Sequence, residues 1–317
     1  MGAAAQWAPP AAAASAQQAA RPAKVGILFH GDPALAPARA ALVGAGVRDG
    51  GYTGPVELIV RATGGDPQIA DVMATELVRD NVDVLVPITP GALDAVRAVT
   101  ATIPIVAYDL ESDPIGSGMV RSLPRPGGNI TGLFFDSPAF SEKWLEFLKE
   151  VVPHLARVGV LWDRTTGTTQ LRALEAAAAR MNLRVAAVEV RTEAELAAFM
   201  QGTQPPHMDA LVMLSTPIVA GNLKALAAFT QQRGLPAITM FPGFAQTGGL
   251  MAYGPHIEEG YRQTGQIVAR VLKGAKPTDI PIDLPSRFVL ILNLGTARRL
   301  GLEFPLSLVL RADAVVE

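Results

Sequence analysis

The feature of this sequence that most constrains its fold is a set of short apolar segments that occurs twice in the same order. Three pairs of matching segments lie about 130 residues apart: Val25–Leu28 with Val158–Leu161, Val82–Val86 with Met208–Val212, and Ile103–Ile105 with Leu235–Ile238. Each match alone is weak, because buried strands resemble one another. Three matches in one order at nearly constant spacing predict two similar halves.

Short β-branched runs alternate with longer stretches of helical periodicity from Lys24 onward. The predicted strands are Lys24–Phe29, Val56–Arg61, Val82–Ile88, Ile103–Tyr108, Arg157–Trp162, Arg184–Val190, Asp209–Leu214 and Ala237–Phe241. The predicted helices are Pro67–Asp80, Ser141–Val152, Thr168–Met181 and Val219–Gln232. A nearly continuous apolar strand is typical of a parallel sheet covered on both faces. The alternation predicts an α/β fold with Rossmann-like, doubly wound lobes.

The length of the chain favours two lobes over one. It has 317 residues, 49% of them hydrophobic, whereas single cores stop growing near about 250–300 residues. A Gly- and Pro-rich stretch at Pro124–Pro138 predicts the boundary. Beyond Gly248 a further strand, a helix over Ile257–Lys273 and a short helix over Thr296–Leu300 imply several crossings between the lobes, that is, a multi-strand hinge. We predict a tail at 1–23, one lobe at 24–133 with about 254–280, and another at 134–253 with about 281–317.

Composition excludes several classes of function. The chain has no cysteine, which removes disulfides, thiolate nucleophiles and a lipid-anchor cysteine. Charged residues make up 18% and the net charge is −2, so nothing favours a nucleic-acid partner. No apolar run reaches the roughly 20 residues of a membrane-spanning helix.

The first 23 residues are almost all Ala, Gln and Pro, and they leave two interpretations open. One is a disordered tail. The other is the remnant of a secretory signal, because Ala14–Ala16 fits the small-residue cleavage pattern. We favour export, and expect a soluble periplasmic protein without a lipid anchor.

Motifs for catalysis are missing. The sequence has neither a phosphate-binding G-x-x-x-x-G-K-[ST] loop nor a G-x-S-x-G nucleophile elbow. The four histidines, at positions 30, 154, 207 and 256, are not spaced for a metal. We therefore expect no enzyme activity, no catalytic residues, no metal and no cofactor.

Polar and aromatic residues gather just after the predicted strands. In open α/β sheets, ligands bind outside the carboxyl ends of the strands. The candidate ligand-binding residues are His30, Asp32, Thr89, Pro90, Tyr108, Asp109, Phe135, Ser137, Trp162, Asp163, Thr165, Ser215, Thr216, Phe241, Phe244 and Tyr253. Such a mixture predicts a small organic ligand held between rings and fixed by hydroxyl and carboxyl groups. The alternatives are that Tyr108 and Phe241 belong to the core, and that Asp32 and Asp163 cap helices.

Several segments together resemble a known family. They are VRSLPRPGGNITGL (120–133), WLEFLKEVVPHLARVGVLWD (144–163), GGLMAYGP (248–255) and the stretch 271–317. In these the chain resembles the substrate-binding proteins of ABC transporters, in the group related to the tryptophan-binding protein of streptococci. The resemblance covers almost everything after Lys24. It implies a type I periplasmic-binding fold, a ligand between two lobes, no catalysis, and binding loops at Thr89–Pro90 and Ser215–Thr216.

Two departures from the family's pattern concern the ligand. Pro217–Val219 replaces the acid-bearing polar triplet expected to hold an α-amino group, and the loop near Phe134–Ser137 is partly aromatic instead of serine-rich. An aromatic amino acid and another aromatic or carboxylated compound both remain open.

The expected partners are a small-molecule ligand and an ABC permease in the membrane, with the protein itself a monomer. The main alternative is a sensor that presents its ligand to a membrane receptor, and an enzyme on the same scaffold is less favoured. A repressor's effector domain would need a DNA-binding helix-turn-helix, which the Ala-rich start cannot supply.

Overall fold

The structure is a computed structural model that describes residues 21–135, 137–202 and 207–317, without the side chains at positions 137–139 and 165. Most of the predicted tail at 1–23 lies outside the described residues. The same is true of the side chains of the candidate residues Ser137 and Thr165.

The first sheet is built from the amino-terminal part of the chain. Its strands are β1 (Ala23–Phe29), β2 (Val56–Ala62), β3 (Val84–Ile88), β4 (Ile105–Asp109) and β5 (Ile130–Phe134). They lie in the order β2-β1-β3-β4-β5 and all pair in parallel. The helices α1 (Ala36–Asp49), α2 (Pro67–Arg79) and α3 (Pro90–Val99) connect successive strands, as parallel pairing requires.

The second sheet has seven strands in the order β12-β11-β10-β9-β8-β6-β7. They are β6 (Arg157–Trp162), β7 (Arg184–Glu189), β8 (Ala210–Met213), β9 (Ala237–Thr239), β10 (Met251–Pro255), β11 (Phe288–Asn293) and β12 (Ala314–Val316). The pair β10–β11 is antiparallel and the others are parallel. Six α-helices of the described residues lie between β5 and β10 in the chain: α4 (Ser137–Val151), α5 (Thr169–Arg180), α6 (Glu193–Gln201), α7 (Pro217–Gly221), α8 (Leu223–Gln232) and α9 (Pro242–Gln246). The remaining helices are α10 (Ile257–Leu272), α11 (Leu294–Arg299) and α12 (Leu306–Val309).

The internal repeat of the sequence corresponds to a repeat of topology. Strands β6 to β10 lie in the order β7-β6-β8-β9-β10, which copies the order of β1 to β5. The three matching sequence pairs fall on β1 and β6, on β3 and β8, and on β4 and β9. The predicted α/β fold with two doubly wound lobes is confirmed.

The chain passes between the two sheets three times. It leaves β5 for α4, leaves β10 for α10, and returns to β11 after residue 283. Between the last two crossings α10 packs on α1, and the following segment runs beside β5, where Thr131 Oγ1 donates to the Ile280 carbonyl at 3.0 Å. The crossings lie close to the limits predicted for the lobes, and the division of the chain at those limits stays a proposal.

Three helices differ from their predicted bounds by two residues or more, and the one predicted over Thr296–Leu300 spans Leu294–Arg299. The helix predicted over Val219–Gln232 is two helices, because Asn222 leaves helical geometry (φ −121°, ψ 21°) and donates from Nδ2 to the Ile218 carbonyl at 2.9 Å. The helix predicted from Ser141 begins at Ser137. Pro138 follows directly, and proline is favoured in a first turn because the missing N–H would be unpaired there anyway.

Candidate functional site

The carboxyl ends of the two sheets meet at a hydrogen bond between Glu111, after β4, and Ser215, after β8. Ser215 Oγ lies 2.5 Å from Glu111 Oε1. Gln170 fixes Ser215 from the second lobe, because its amide donates to the Ser215 carbonyl and accepts from the Ser215 N–H, each at 3.0 Å. The edge where ligands bind in this class of sheet is therefore where the two lobes touch.

Two carboxyl groups are buried in the loop after β4. Asp109 is fully buried, and its Oδ1 accepts from the N–H groups of Glu111 and Ser112 at 2.9 Å. Burial raises the pKa of Asp109, and these hydrogen bonds offset part of the effect. Burial and the neighbouring Asp109 raise the pKa of Glu111 to about 8, although the hydrogen bond from Ser215 acts in the opposite direction. Desolvation thus disfavours the charged form of Glu111.

Tyr108 lies at the same edge with its ring turned into the first lobe. The ring stacks on Tyr261 of α10, with 4.6 Å between the ring centroids, and it lies against the backbone of Gly260. The hydroxyl of Tyr108 is buried and has no hydrogen-bond partner among the described residues. Burial raises the pKa of Tyr108 well above its ordinary value. The core interpretation of the Tyr108 ring is thus correct, and its hydroxyl remains unexplained by the fold.

Thr89 is a strained residue at the end of β3. Its backbone has φ 85° and ψ 161°, a region that essentially only glycine adopts. The Thr89 N–H donates to the Tyr108 carbonyl at 2.9 Å, and its own carbonyl accepts from Leu93 at 3.1 Å, so β4 and α3 hold the strained geometry. The side-chain Oγ1 is buried with no partner in the described part of the chain. Strain of this kind clusters at ligand-binding positions.

We expect Thr89→Gly to raise the free energy of unfolding by about 1 kcal/mol. Relief of a strain of about 1–3 kcal/mol outweighs the roughly 1 kcal/mol that glycine's extra freedom in the unfolded chain costs. Urea denaturation of the purified protein measures the change. Thr89→Ser, which keeps both the strain and the hydroxyl, is the matched control and should show no gain. A loss of stability in Thr89→Gly would show that the threonine is not strained.

The residues that follow β1 and β3 lie at the same edge of the first sheet. His30 is half-buried, and its Nδ1 lies 2.7 Å from Thr63 Oγ1. Burial lowers the pKa of His30, with Asp66 acting in the opposite direction. The imidazole ring packs over Gly91 in the first turn of α3, next to the buried Pro90. Asp32 is exposed, and its Oδ1 accepts from the Ala34 N–H at 2.9 Å, so it caps a short turn.

Four of the predicted residues in the second lobe lie just after, or at the end of, strands of the second sheet. Trp162 is half-buried at the end of β6, and Asp163 is buried beside it. Thr216 is buried next to Ser215 and caps α7 by accepting from Val219 N–H at 3.2 Å. Phe241 is half-buried at the start of α9. These residues adjoin Ser215 in the chain or end neighbouring strands of the same sheet.

Phe244 lies in the core, which corrects the prediction that it lines the cleft. Its side chain is completely buried among aliphatic residues of the second lobe, including Leu226 and Val219. Its ring also packs against the Gly249 backbone. Phe241 is the N-cap residue, whose extended backbone (φ −86°, ψ 115°) lies outside the helical geometry of α9, and its ring is only half-buried.

Phe135 and Tyr253 lie in an aromatic cluster beside the crossings between the lobes. Tyr253 stacks on Phe140 at 4.8 Å, Phe135 meets Phe140 edge-on at 4.4 Å, and Phe288 lies 5.2 Å from Phe140. Phe135 follows β5 and Phe288 begins β11, so the cluster adjoins the segments that any change of lobe orientation would bend. The two predicted residues are therefore placed at the hinge.

Several residues of the site were missed from the sequence. Glu111 lies only two positions beyond Asp109, where the predicted binding segment stopped. Gln170 and Thr63 had no signal of their own, because their partners are 45 and 33 residues away. Arg39 donates to Tyr261 Oη at 2.9 Å and so supports the ring on which Tyr108 stacks.

Two other kinds of feature are absent from the described residues. Within residues 21–135, 137–202 and 207–317, no helix is long and apolar enough to cross a membrane. Over the same ranges no three His, Asp or Glu side chains are grouped so as to hold a metal ion.

Two α/β lobes of like topology, three crossings and buried polar atoms at the meeting edge define a two-lobed ligand-binding protein of the type I periplasmic-binding fold. The family model described as "ABC transporter substrate binding protein" matches residues 29–316. The chain therefore belongs to the family of ABC transporter substrate-binding proteins, which is not an enzyme family.

Relatives in this family support the assignment. A tyrosine-binding protein of Clostridioides difficile (strain R20291) is 24% identical over 234 residues, which span 73% of this chain and 66% of that relative's length. A crystal structure of an ABC domain from Streptococcus pneumoniae in complex with L-Trp is 25% identical, with a TM-score of 0.82, and the match covers 93% of this chain and all of that one. A conserved domain protein of Vibrio cholerae is also 25% identical, with a TM-score of 0.81 over 92% of this chain and 99% of that one.

Proposed function

We propose that this protein captures a small organic ligand between its two lobes and delivers it to the permease of an ABC importer, without transforming it. The observation that carries the proposal is a set of buried polar atoms at the meeting edge, on Thr89, Tyr108 and Asp109, that have no hydrogen-bond partner among the described residues. Buried polar groups in native proteins are nearly always hydrogen-bonded. A bound ligand would supply the missing partners.

Ligand binding and movement of the lobes belong to one equilibrium in this proposal. The ligand docks on one lobe, and closure brings Ser215 and its neighbours from the other, so the measured affinity includes the closing step. The aromatic cluster at Phe135, Phe140 and Tyr253 lies where the crossings bend. Export to the periplasm and a monomeric state complete the proposal.

The names of the relatives suggest which ligands to test first. One is named for binding tyrosine, and another was crystallised with L-Trp. For this chain we propose an aromatic ligand of that size, because Trp162 and Phe241 are half-buried on the second lobe and can each cover one face of a ring.

A thermal-shift and calorimetric screen of the purified chain tests the proposal. A true ligand at about 100 times its Kd should stabilise the folded protein by about 2.7 kcal/mol, and should be recovered unchanged. If no aromatic amino acid, aromatic acid or amine shifts the melting temperature, the proposed function is contradicted. Consumption of the ligand would contradict the non-enzymatic role.

The variant Tyr108→Phe tests whether the Tyr108 hydroxyl binds the ligand or has only a structural role. Because the hydroxyl has no partner, its removal should leave the free energy of unfolding unchanged or raise it by about 1 kcal/mol. The same change should weaken binding of the ligand found in the screen by about 5- to 10-fold, since one hydrogen bond to the ligand is lost. Tyr52→Phe, in the loop between α1 and β2 at the opposite end of the first sheet, is the matched control. An unchanged affinity in Tyr108→Phe would show that the hydroxyl does not contact the ligand.

A further inference from the structure

The loop after β4 places two buried carboxyl groups together without a basic partner. Asp109 is fully buried and Glu111 is 9% exposed. In the part of the chain that the structure describes, no ion pair includes either of them. Arg39, which lies on this side of the lobe, is instead bound to the hydroxyl of Tyr261. A buried carboxyl group either pairs with a counter-charge or gives up its own charge by protonation.

The hydrogen bonds of the two carboxyl groups leave specific atoms for a ligand. Oδ1 of Asp109 accepts from two backbone N–H groups, and Oε2 of Glu111 accepts from the Leu110 N–H at 3.2 Å. Oδ2 of Asp109 is buried and has no partner within the described ranges. Oε1 of Glu111 accepts from the hydroxyl of Ser215, which belongs to the other lobe. Among the described residues, each carboxyl group thus has one oxygen that no N–H group of its own lobe satisfies.

Two further unpartnered hydroxyls lie at the same edge of the sheet. The Tyr108 side chain, which directly precedes Asp109, is about nineteen-twentieths buried, and its hydroxyl lacks a partner among the described residues. Thr89, whose N–H bonds to the Tyr108 carbonyl, also holds an unpartnered hydroxyl. These two hydroxyl oxygens can accept hydrogen bonds, as the carboxylates can. A group with several donors and a positive charge fits this set, whereas an anion would be repelled.

We propose that Glu111 and Asp109 bind a protonated amino group of the transported ligand. The inference rests on the proposed function and names the chemical class of its ligand. An ammonium group offers three N–H donors, which Glu111, Asp109 and one of the two hydroxyls can accept. The Ser215 hydroxyl donates to Glu111 Oε1 in this structure, and the ammonium group replaces it as the donor. This assigns the role of an amine-binding acid to the first lobe, whereas the sequence had suggested a loop of the second.

Three matched pairs of probes test the class of ligand. They are L-tryptophan with indole-3-propionate, L-tyrosine with 3-(4-hydroxyphenyl)propionate, and benzylamine with benzoate, each measured by isothermal titration calorimetry on the full chain. Within a pair that binds, the amine should bind at least about tenfold more tightly, because its partner leaves the carboxylates unpaired. Tight binding of the amine-free members alone would overturn the amine site and leave the proposed function standing. If no probe of either kind binds, both are contradicted.

Substitutions at Glu111 test whether its carboxyl group binds the amino group of the ligand. Glu111→Gln keeps the shape and can still accept from Ser215, but it cannot carry charge. It should weaken binding of the amine probes by about 10- to 100-fold and change the affinity for amine-free probes by less than about threefold. Glu111→Asp, which keeps the charge, should recover part of the affinity. Glu57→Gln, exposed on β2, is the control. Equal losses for amine and amine-free probes would show a structural role for Glu111 and overturn the proposal.

Discussion

Glu111→Gln should flatten the dependence of stability on pH in the protein without ligand. Glu111 has an ordinary pKa of 4.5 in the unfolded chain and a pKa of about 8 in the fold, raised first by burial and then by Asp109. Between these values the folded state binds more protons than the unfolded state. The free energy of unfolding therefore falls as the pH rises through this window, by up to about 1.4 kcal/mol per pH unit from this group.

The groups around Glu111 are consistent with a raised pKa for its carboxyl group. Asp109 is acidic and its own pKa is raised, Tyr108 and Tyr261 are neutral phenols, and Ser215 is uncharged. Arg39 is the positive group on this side, and it is bound to the Tyr261 hydroxyl. No neighbouring cation therefore compensates for ionisation of Glu111 among the residues that the structure describes.

Urea denaturation at pH 5, 6, 7 and 8 measures the effect. We expect the free energy of unfolding of the unsubstituted protein to fall more steeply than that of Glu111→Gln, by roughly 1 kcal/mol per pH unit. Glu57→Gln removes an exposed carboxyl and should keep the steeper slope. If Glu111→Gln retains that slope as well, the carboxyl group ionises in the fold as easily as in water.

The fold was largely predictable because its signals are local and repeated. Alternation of apolar runs with helical periodicity reports parallel strands covered on both faces. The repeat of Val25–Leu28 as Val158–Leu161 then placed β1 and β6 at equivalent positions of two sheets. The break at Asn222 has no repeated signal of this kind: its side-chain amide donates to the Ile218 carbonyl, four residues back, and to Glu193, 29 residues away.

The site was predictable only in outline, because its decisive contacts join distant parts of the chain. The rule that ligands bind at carboxyl ends of strands led to Thr89, Asp109 and Ser215. It did not lead to Glu111, whose partner Ser215 is 104 residues away in the other lobe. Burial also separated Phe241 from Phe244, because Phe241 is the extended N-cap of α9 whereas Phe244 lies within the helix and is completely buried.

Gly265→Ala should be among the most destabilising single-methyl additions in the first lobe. Helices α1 and α10 cross with their backbones in contact: a Cβ on Gly265 would collide with the carbonyl oxygen of Val43, and a Cβ on Gly46 with that of Arg262. Both obstacles are backbone atoms, which cannot move aside as a flexible side chain can. We therefore expect the helices to separate, at a cost of about 2–3 kcal/mol.

Thermal and urea denaturation of Gly265→Ala and Gly46→Ala measure this cost. Gly221→Ala is the matched control, because no atom lies within 4 Å of its Cβ position, and it should change stability by less than about 1 kcal/mol. The double variant should lose less than the sum of the single losses, because the first methyl group already separates the helices. Since α10 carries Tyr261, on which Tyr108 stacks, the separation should also weaken ligand binding. Full stability in Gly265→Ala would show that the two helices do not approach this closely.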